Sequence, residues 1–302
     1  MQVLINDFPD FSEVTLEYRQ EIEAITQQFE PYSDFNFVSL FTWNTDGSAT
    51  ISKLNDNLVI RLPHYTKGHS IYSMLGINRI DESASRLLEL TGRLEMVPEI
   101  VRDAIVSLEN FTISEDRDNF DFVYHVEGHA KLGGKEFREK RKKYNRFLNT
   151  FGEIIRVEEV DLKDGSVQSQ VIDIFQRWAQ SKETLGADNE LELTAIKRLL
   201  EYGSHFKLVC LLLSIDSVPA GFTIHEILNQ NYAICHYHKT LTSYANSDVY
   251  LTSVAAQDLL QRGCHYVNWE QDLGIKGLRQ SKLSYSHVRF LKKYIIEPAA
   301  KK

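Results

Sequence analysis

The stretch FKLVCLLLSIDSVPAGFTIHEILNQNYAICHYHKT, residues 206–240, decides the reading of the fold. Three runs rich in apolar and β-branched residues, FKLVCLLLSI, VPAGFTIHEI and NYAICHYHKT, are separated by short polar breaks at Asp216-Ser217 and Asn229-Gln230. That pattern predicts three consecutive strands joined by tight turns. Upstream, Val167, Val171, Ile174, Phe175 and Trp178 recur at helical spacing over 166–180, as do Leu193, Ile196, Leu199 and Leu200 over 190–202. Downstream, Leu251, Val254, Ala255 and Leu259 predict a helix over about 248–262. A short strand CHYVNW, a short helix IKGLRQSKL and a last strand SHVRFLKKYII follow. Helices that flank strands in this order cover both faces of a mixed sheet, so the expected class is α/β with mixed, α+β-like sheets.

The first half is patterned more loosely. Val14, Tyr18, Ile22, Ile25 and Phe29 predict one surface helix over 12–29, ended by Pro31. ATISKLNDNLVIRLPH reads as a hairpin turning at Asn55-Asp56-Asn57, and HSIYSMLGI as another strand. Asp81 is placed to cap a helix packed through Leu87, Leu88 and Leu94. EIVRDAIVSL is helical in pattern, and DNFDFVYHVEGH alternates as a strand does. The boundary between the halves falls between 115 and 135, giving lobes of 1–125 and 126–302.

Of the 302 residues, 43% are apolar and 25% charged, which suits globular cores. The formal charge of −8 excludes nucleic-acid binding driven by the field of the whole molecule, though not by a local basic patch. The N-terminus lacks the basic run and apolar block of a signal peptide, and FKLVCLLLS is about half the length that spans a bilayer. A cytoplasmic protein with no integral membrane segment is expected, with peripheral membrane contact left open. Cys210, Cys235 and Cys264 form no C-x-x-C pair and read as buried, reduced thiols.

Three sets of residues carry candidate chemistry. In KLGGKEFREKRKKYNRFLNTFG, a helix over 135–151 would bury Phe137, Tyr144, Leu148 and Phe151 and present Lys135, Arg138, Lys142 and Arg146 on another face. That face reads either as a solvated charged surface or as a site for an anionic partner, whether a phosphate, the acceptor arm of a charged tRNA or a lipid head group. In ICHYHKT, His236 and His238 point one way and Tyr237 the other. The histidines read as a hydrogen-bonded pair on a half-buried face or as pocket lining; sequence spacing gives no support to a metal site with Glu270 and Asp272.

The densest set lies in NWEQDLGIKGLRQSKLSYSHVRFLKKY. Glu270 and Asp272 stand two apart at a strand end, Gly274 and Gly277 allow close backbone approach, and Lys276, Arg279 and Lys282 follow at helical spacing. Carboxylates facing cations suit a site that binds an anion and moves a proton. The competing reading is a salt-bridged packing loop. Walker, G-x-S-x-G, H-E-x-x-H and dinucleotide motifs are absent.

The segments SDFNFVSLFTW, KLGGKEFREKRKKYNRFL, CHYHKTLTSYANSDVYLTSVAAQDLL and YVNWEQDLGIKGLRQSKLSY together resemble an uncharacterised bacterial family related to the C-terminal domain of phosphatidylglycerol lysyltransferase. The resemblance runs from about residue 30 to 295 and implies two tandem acetyltransferase-like lobes. It further implies a transferase that carries an aminoacyl group from aminoacyl-tRNA to an amine or hydroxyl, by direct attack and without a covalent enzyme intermediate. The acceptor would be a small molecule, a peptide or a lipid head group. No stretch corresponds to the multi-helix membrane region of the lipid-modifying enzymes. TLTSYANSDVY also lacks the glycine-rich loop that holds coenzyme A in acetyltransferases.

On this reading Glu270, Asp272 and His238 are the catalytic candidates. His236, Lys239, Tyr244, Gly274, Lys276, Arg279 and Lys282 would bind substrate or anion, with no metal and no permanently bound cofactor. Acyl-CoA is the alternative donor, and a non-catalytic sensor that keeps an anion pocket is the alternative function.

Overall fold

The three central runs form the antiparallel strands Leu208–Ile215, Val218–Ile227 and Tyr232–Thr240, each paired to the next in sequence. This is a computed structural model, and it describes residues 4–63, 69–181, 187–228, 231–286 and 289–300. The fold is mixed α/β with several sheets. The chain divides into two compact units. One holds the chain up to Asp121, Gln271–Arg279 and the chain from Phe290 on; the other holds Phe122–Glu270 and Gln280–Arg289.

In the second unit the central strands are flanked by Ile155–Val160 on one side and by the parallel strand Tyr266–Asn268 on the other. Tyr266–Asn268 in turn pairs antiparallel with the strand that ends at His125. The helix Ser247–Gln261 buries Leu251 and Ala255 against Val209, Leu211 and Leu213 of the sheet. Phe147, fully buried, brings the helix Arg138–Phe151 onto the same core. Burying one such side chain is worth about 1.5–3 kcal/mol, so the apolar face of this helix fixes where its basic face points.

The first unit has an antiparallel sheet of Ser12–Glu13, Thr50–Leu54, Asn57–Pro63 and Ser70–Leu75. Asn55 and Asp56 alone make the hairpin turn, at φ 50° and 61°, the two-residue geometry that follows strand twist. Asn57 instead starts the second strand and is fully buried. A second sheet places the last strand, Lys293–Pro298, between Leu94–Pro98 and Phe111–Glu115.

Several expected elements differ. The helix over 12–29 is a two-residue strand, a short 3-10 turn and a helix limited to Arg19–Thr26. Val14 is fully buried and its N–H donates to the Ala49 carbonyl, so sheet pairing outweighs the helical spacing. Leu94 belongs to a strand rather than to the helix Ile80–Thr91. Asp81 does not cap that helix: its carboxylate accepts from the N–H groups of Val106 and Ser107. The last run splits into Arg289–Leu291 and Lys293–Pro298. Lys135 lies in the turn ahead of the basic helix, which begins at Arg138.

Candidate functional site

The parallel pairing of Tyr232–Thr240 with Tyr266–Asn268 lasts three residues, from Tyr232↔Tyr266 to Ile234↔Asn268. Beyond it the first strand runs on through His236 and His238. The second leaves its partner: the Trp269 N–H donates to the Phe122 carbonyl at 2.8 Å, and the Phe122 N–H donates to the Glu270 carbonyl at 3.1 Å. The strands part there, and side chains from both fill the opening.

His236 occupies it. Its Nε2 lies 3.3 Å from Glu226 Oε2 and its Nδ1 lies 3.4 Å from Glu270 Oε1. The imidazole and the Glu226 carboxylate are almost enclosed, whereas the Glu270 side chain keeps 24% of its exposure. Burial alone would lower the His236 pKa, but the two carboxylates that accept its hydrogen bonds outweigh it and hold it up at about 9. At neutral pH the group is an imidazolium between two carboxylates, one of them reachable from solvent.

His238 is half-buried, and loss of hydration pushes it down to about 4. Its Nε2 lies 3.5 Å from Thr252 Oγ1, and its ring lies parallel to that of Trp269, centroids 6.4 Å apart. Trp269 also packs on Tyr124, His129 and Tyr285, at 4.8, 5.2 and 5.1 Å between centroids. His129 is buried in that shell and pushed down to about 3 by desolvation. Lys140 closes the shell from the basic helix. Its ammonium lies 3.3 Å from the Tyr285 ring centroid and 2.7 Å from Ser284 Oγ, and burial lowers it to about 8.

Asp272 belongs to the first unit, apart from Glu270. It is fully buried. Arg279 grips it with two donors, Nε to Oδ2 at 2.8 Å and Nη2 to Oδ1 at 2.6 Å, and Arg117 adds a contact at 3.3 Å. The Gly274 N–H also donates to it at 3.0 Å, with Gly274 at φ +73°. Burial would raise its pKa, but these guanidinium and amide donors hold it below the usual carboxylate range.

The remaining candidates are spread out. Lys239 points its ammonium at Glu192, 2.8 Å away, and over the Trp178 ring at 3.9 Å. Tyr244 packs edge-on against Phe151. Lys276 is exposed. Lys282 is buried, and its ammonium donates to the carbonyls of Trp269 and Glu270. Lys135, Arg138, Lys142 and Arg146 are all exposed, with Lys142 paired to Glu139 on the surface. The three cysteines are free and buried; burial raises Cys210 and Cys235 to about 12 and raises Cys264 as well. Among the described residues, no group of three or more His, Cys, Asp or Glu could hold a metal ion, and no helix is long and apolar enough to cross a membrane.

Sequence reasoning passed over Glu226, Lys140, His129 and the aromatic shell. Two of these carried a signal: Glu226 is a lone carboxylate in an otherwise buried strand, and Lys140 interrupts an apolar stripe.

A buried histidine–carboxylate group thus stands where parallel strands part in a mixed α/β fold. The chain belongs to the family of the phosphatidylglycerol lysyltransferase C-terminal domain, whose model it matches over residues 26–297. It therefore stands among transferases related to that enzyme. A crystal structure of a conserved protein of unknown function from Bacteroides thetaiotaomicron is similar at 25% identity and TM-score 0.82, covering 95% of this chain and 99% of the other. The C-terminal domain of a putative lysylphosphatidylglycerol synthetase from Agrobacterium fabrum is similar in fold, with 10% identity, TM-score 0.65 and coverage of 94% and 92%. No match was found among curated proteins.

Proposed function

We propose that the protein transfers an aminoacyl group from aminoacyl-tRNA to an amine or hydroxyl acceptor, at the opening beside His236 in the second unit. The observation that carries this reading is the imidazolium of His236 held between Glu226 and Glu270 where the parallel strands part. The acceptor nitrogen or oxygen attacks the ester carbonyl, the bond to the ribose oxygen breaks, and no enzyme-bound intermediate forms. Glu270 takes the acceptor proton and returns it to the departing ribose oxygen. His236 tethers that carboxylate, while His238, neutral, lines the opening with Trp269. The buried thiols are unsuited to serve as nucleophile.

Asp272, fixed by Arg279, Arg117 and the Gly274 amide, shapes the loop after Glu270 and is no proton acceptor in this scheme. The exposed face of Arg138, Lys142 and Arg146, with Lys135 ahead of it, receives the RNA backbone. The N-terminus of the helix Ser247–Gln261 offers backbone amides to the donor's phosphate. The glycine-free loop before it favours a tRNA donor over coenzyme A.

The test is a donor comparison. The protein is incubated with a panel of radiolabelled aminoacyl-tRNAs, or with labelled acyl-CoA, and with amine and hydroxyl acceptors. Acceptor-dependent transfer from a tRNA is the expected result. Transfer from coenzyme A alone assigns the other donor, and binding without any transfer assigns a sensor.

A further inference from the structure

Glu270 sits in the left-handed region at φ +56°, a conformation unfavourable for an L-residue. Its backbone is held on three sides. Its N–H donates to Asn268 Oδ1 at 2.7 Å, and its carbonyl accepts from the Phe122 N–H at 3.1 Å and from the Lys282 ammonium at 3.1 Å. The same ammonium takes the carbonyl of Trp269. Lys282 lies in the helix Lys276–Leu283, is 8% exposed, and has its Nζ 5.6 Å from the Phe122 ring centroid. A buried ammonium that spans two successive carbonyls is a clamp on the peptide unit between them. That unit joins Trp269 to Glu270, the two residues that line the opening from this side.

We infer that Lys282 is a positioning residue: it holds the Trp269–Glu270 peptide in its strained turn and thereby places the Glu270 carboxylate against His236. An anion-binding role, expected from the spacing of Lys276, Arg279 and Lys282, does not suit an ammonium engaged by main-chain carbonyls. The inference rests on the reading of Glu270 as the functional carboxylate, but its structural content can be tested without any substrate.

Simple electrostatics and displacement predict opposite signs for one measurement. Removing the Lys282 charge can by itself only raise the imidazole pKa or leave it unchanged. Loosening Glu270 takes away one of the two carboxylates facing His236 and lowers it. Glu226 and Glu270 face His236 directly, and His225 lies near enough to interact with it.

The experiment follows the His236 ring by NMR titration in the parent and in Lys282→Met, which keeps most of the side chain's length and removes the donor. In the parent the midpoint is expected at about 9. In Lys282→Met it should fall by about one unit or more towards the ordinary histidine value. An unchanged or raised midpoint overturns the inference. Should Lys282→Met fail to fold by near-UV circular dichroism, Lys282→Arg carries the test. Its guanidinium keeps the charge, but its donors sit in a rigid planar fork and do not reproduce the single-atom bridge that the ammonium makes between two successive carbonyls. A lowered midpoint at unchanged charge then supports displacement of Glu270, and an unchanged midpoint overturns it. Loss of transfer in Glu270→Gln is a separate readout, so failure of the proposed reaction and failure of the clamp remain distinguishable.

Discussion

His236 illustrates how a buried titratable group is set by its neighbours. Enclosure favours the neutral ring, yet Glu226 and Glu270 outweigh it and hold the pKa at about 9. Because the folded value lies above the unfolded one, the group's contribution to stability is complete below about pH 6.5 and is lost as pH rises through about 9. The shift corresponds to roughly 3 kcal/mol. Thermal denaturation between pH 7 and 10 should therefore show a falling Tm in the parent and a flatter profile in Glu226→Gln. Equal slopes would mean that the pair contributes nothing. His238 behaves in the opposite sense: with its pKa lowered to about 4, it is neutral at pH 7 and available as a hydrogen-bond acceptor. The two histidines are two apart in sequence and share one strand. That much was legible from the alternation of the strand, whereas their different charge states depend on Glu226 and Glu270, which only the folded chain brings near His236.

The helix Arg138–Phe151 shows the same division at the scale of an element. Its existence and its exposed cations follow from spacing, but the face it buries does not. The sequence suggests Phe137, Tyr144, Leu148 and Phe151; in the structure Phe137 is buried just ahead of the helix, and Lys140 and Phe147 are the buried residues within it. Lys140, Tyr144, Phe147 and Phe151 fall on one face, and a lysine within it disguises the stripe. Its ammonium is accommodated by the Tyr285 ring and Ser284, both remote in sequence. Replacing Arg138, Lys142 and Arg146 together by Ala should leave the fold intact and lower the salt slope of tRNA binding by about 2–3. An unchanged slope in a gel-shift series would leave that face merely solvated. Phe147→Ala, by contrast, should cost about 3–5 kcal/mol in denaturant unfolding. The hairpin at Asn55-Asp56 was legible because turn chemistry is local. The fate of 12–29 was not, because the pairing of Ser12 and Glu13 with Ile51 and Thr50 is a contact between distant segments.

At the scale of the whole chain, the first unit gathers parts separated by the long stretch Phe122–Glu270, which linear pattern alone does not reveal. Their junction is ionic. Lys293, fully buried in the last strand, donates to Asp34 and, at 2.7 Å, to Asp121; Ser33 donates to Asp121 through both its N–H and its hydroxyl. Burial opposes the charge on Lys293, but the two carboxylates hold its pKa above the ordinary lysine value. Lys293→Met would leave two buried carboxylates without their cation and should destabilise the protein by about 3–5 kcal/mol, read as a lowered denaturation midpoint. A midpoint within error of the parent would show that the network is dispensable. Family membership points to a transferase, and the chemistry proposed for Glu270 decides the account. The most direct measurement is single-turnover release of deacylated tRNA, dependent on the acceptor, by the parent and by Glu270→Gln. The account predicts a rate lowered by about 10²–10⁴-fold with tRNA affinity unchanged. Transfer at the parental rate by Glu270→Gln would contradict it.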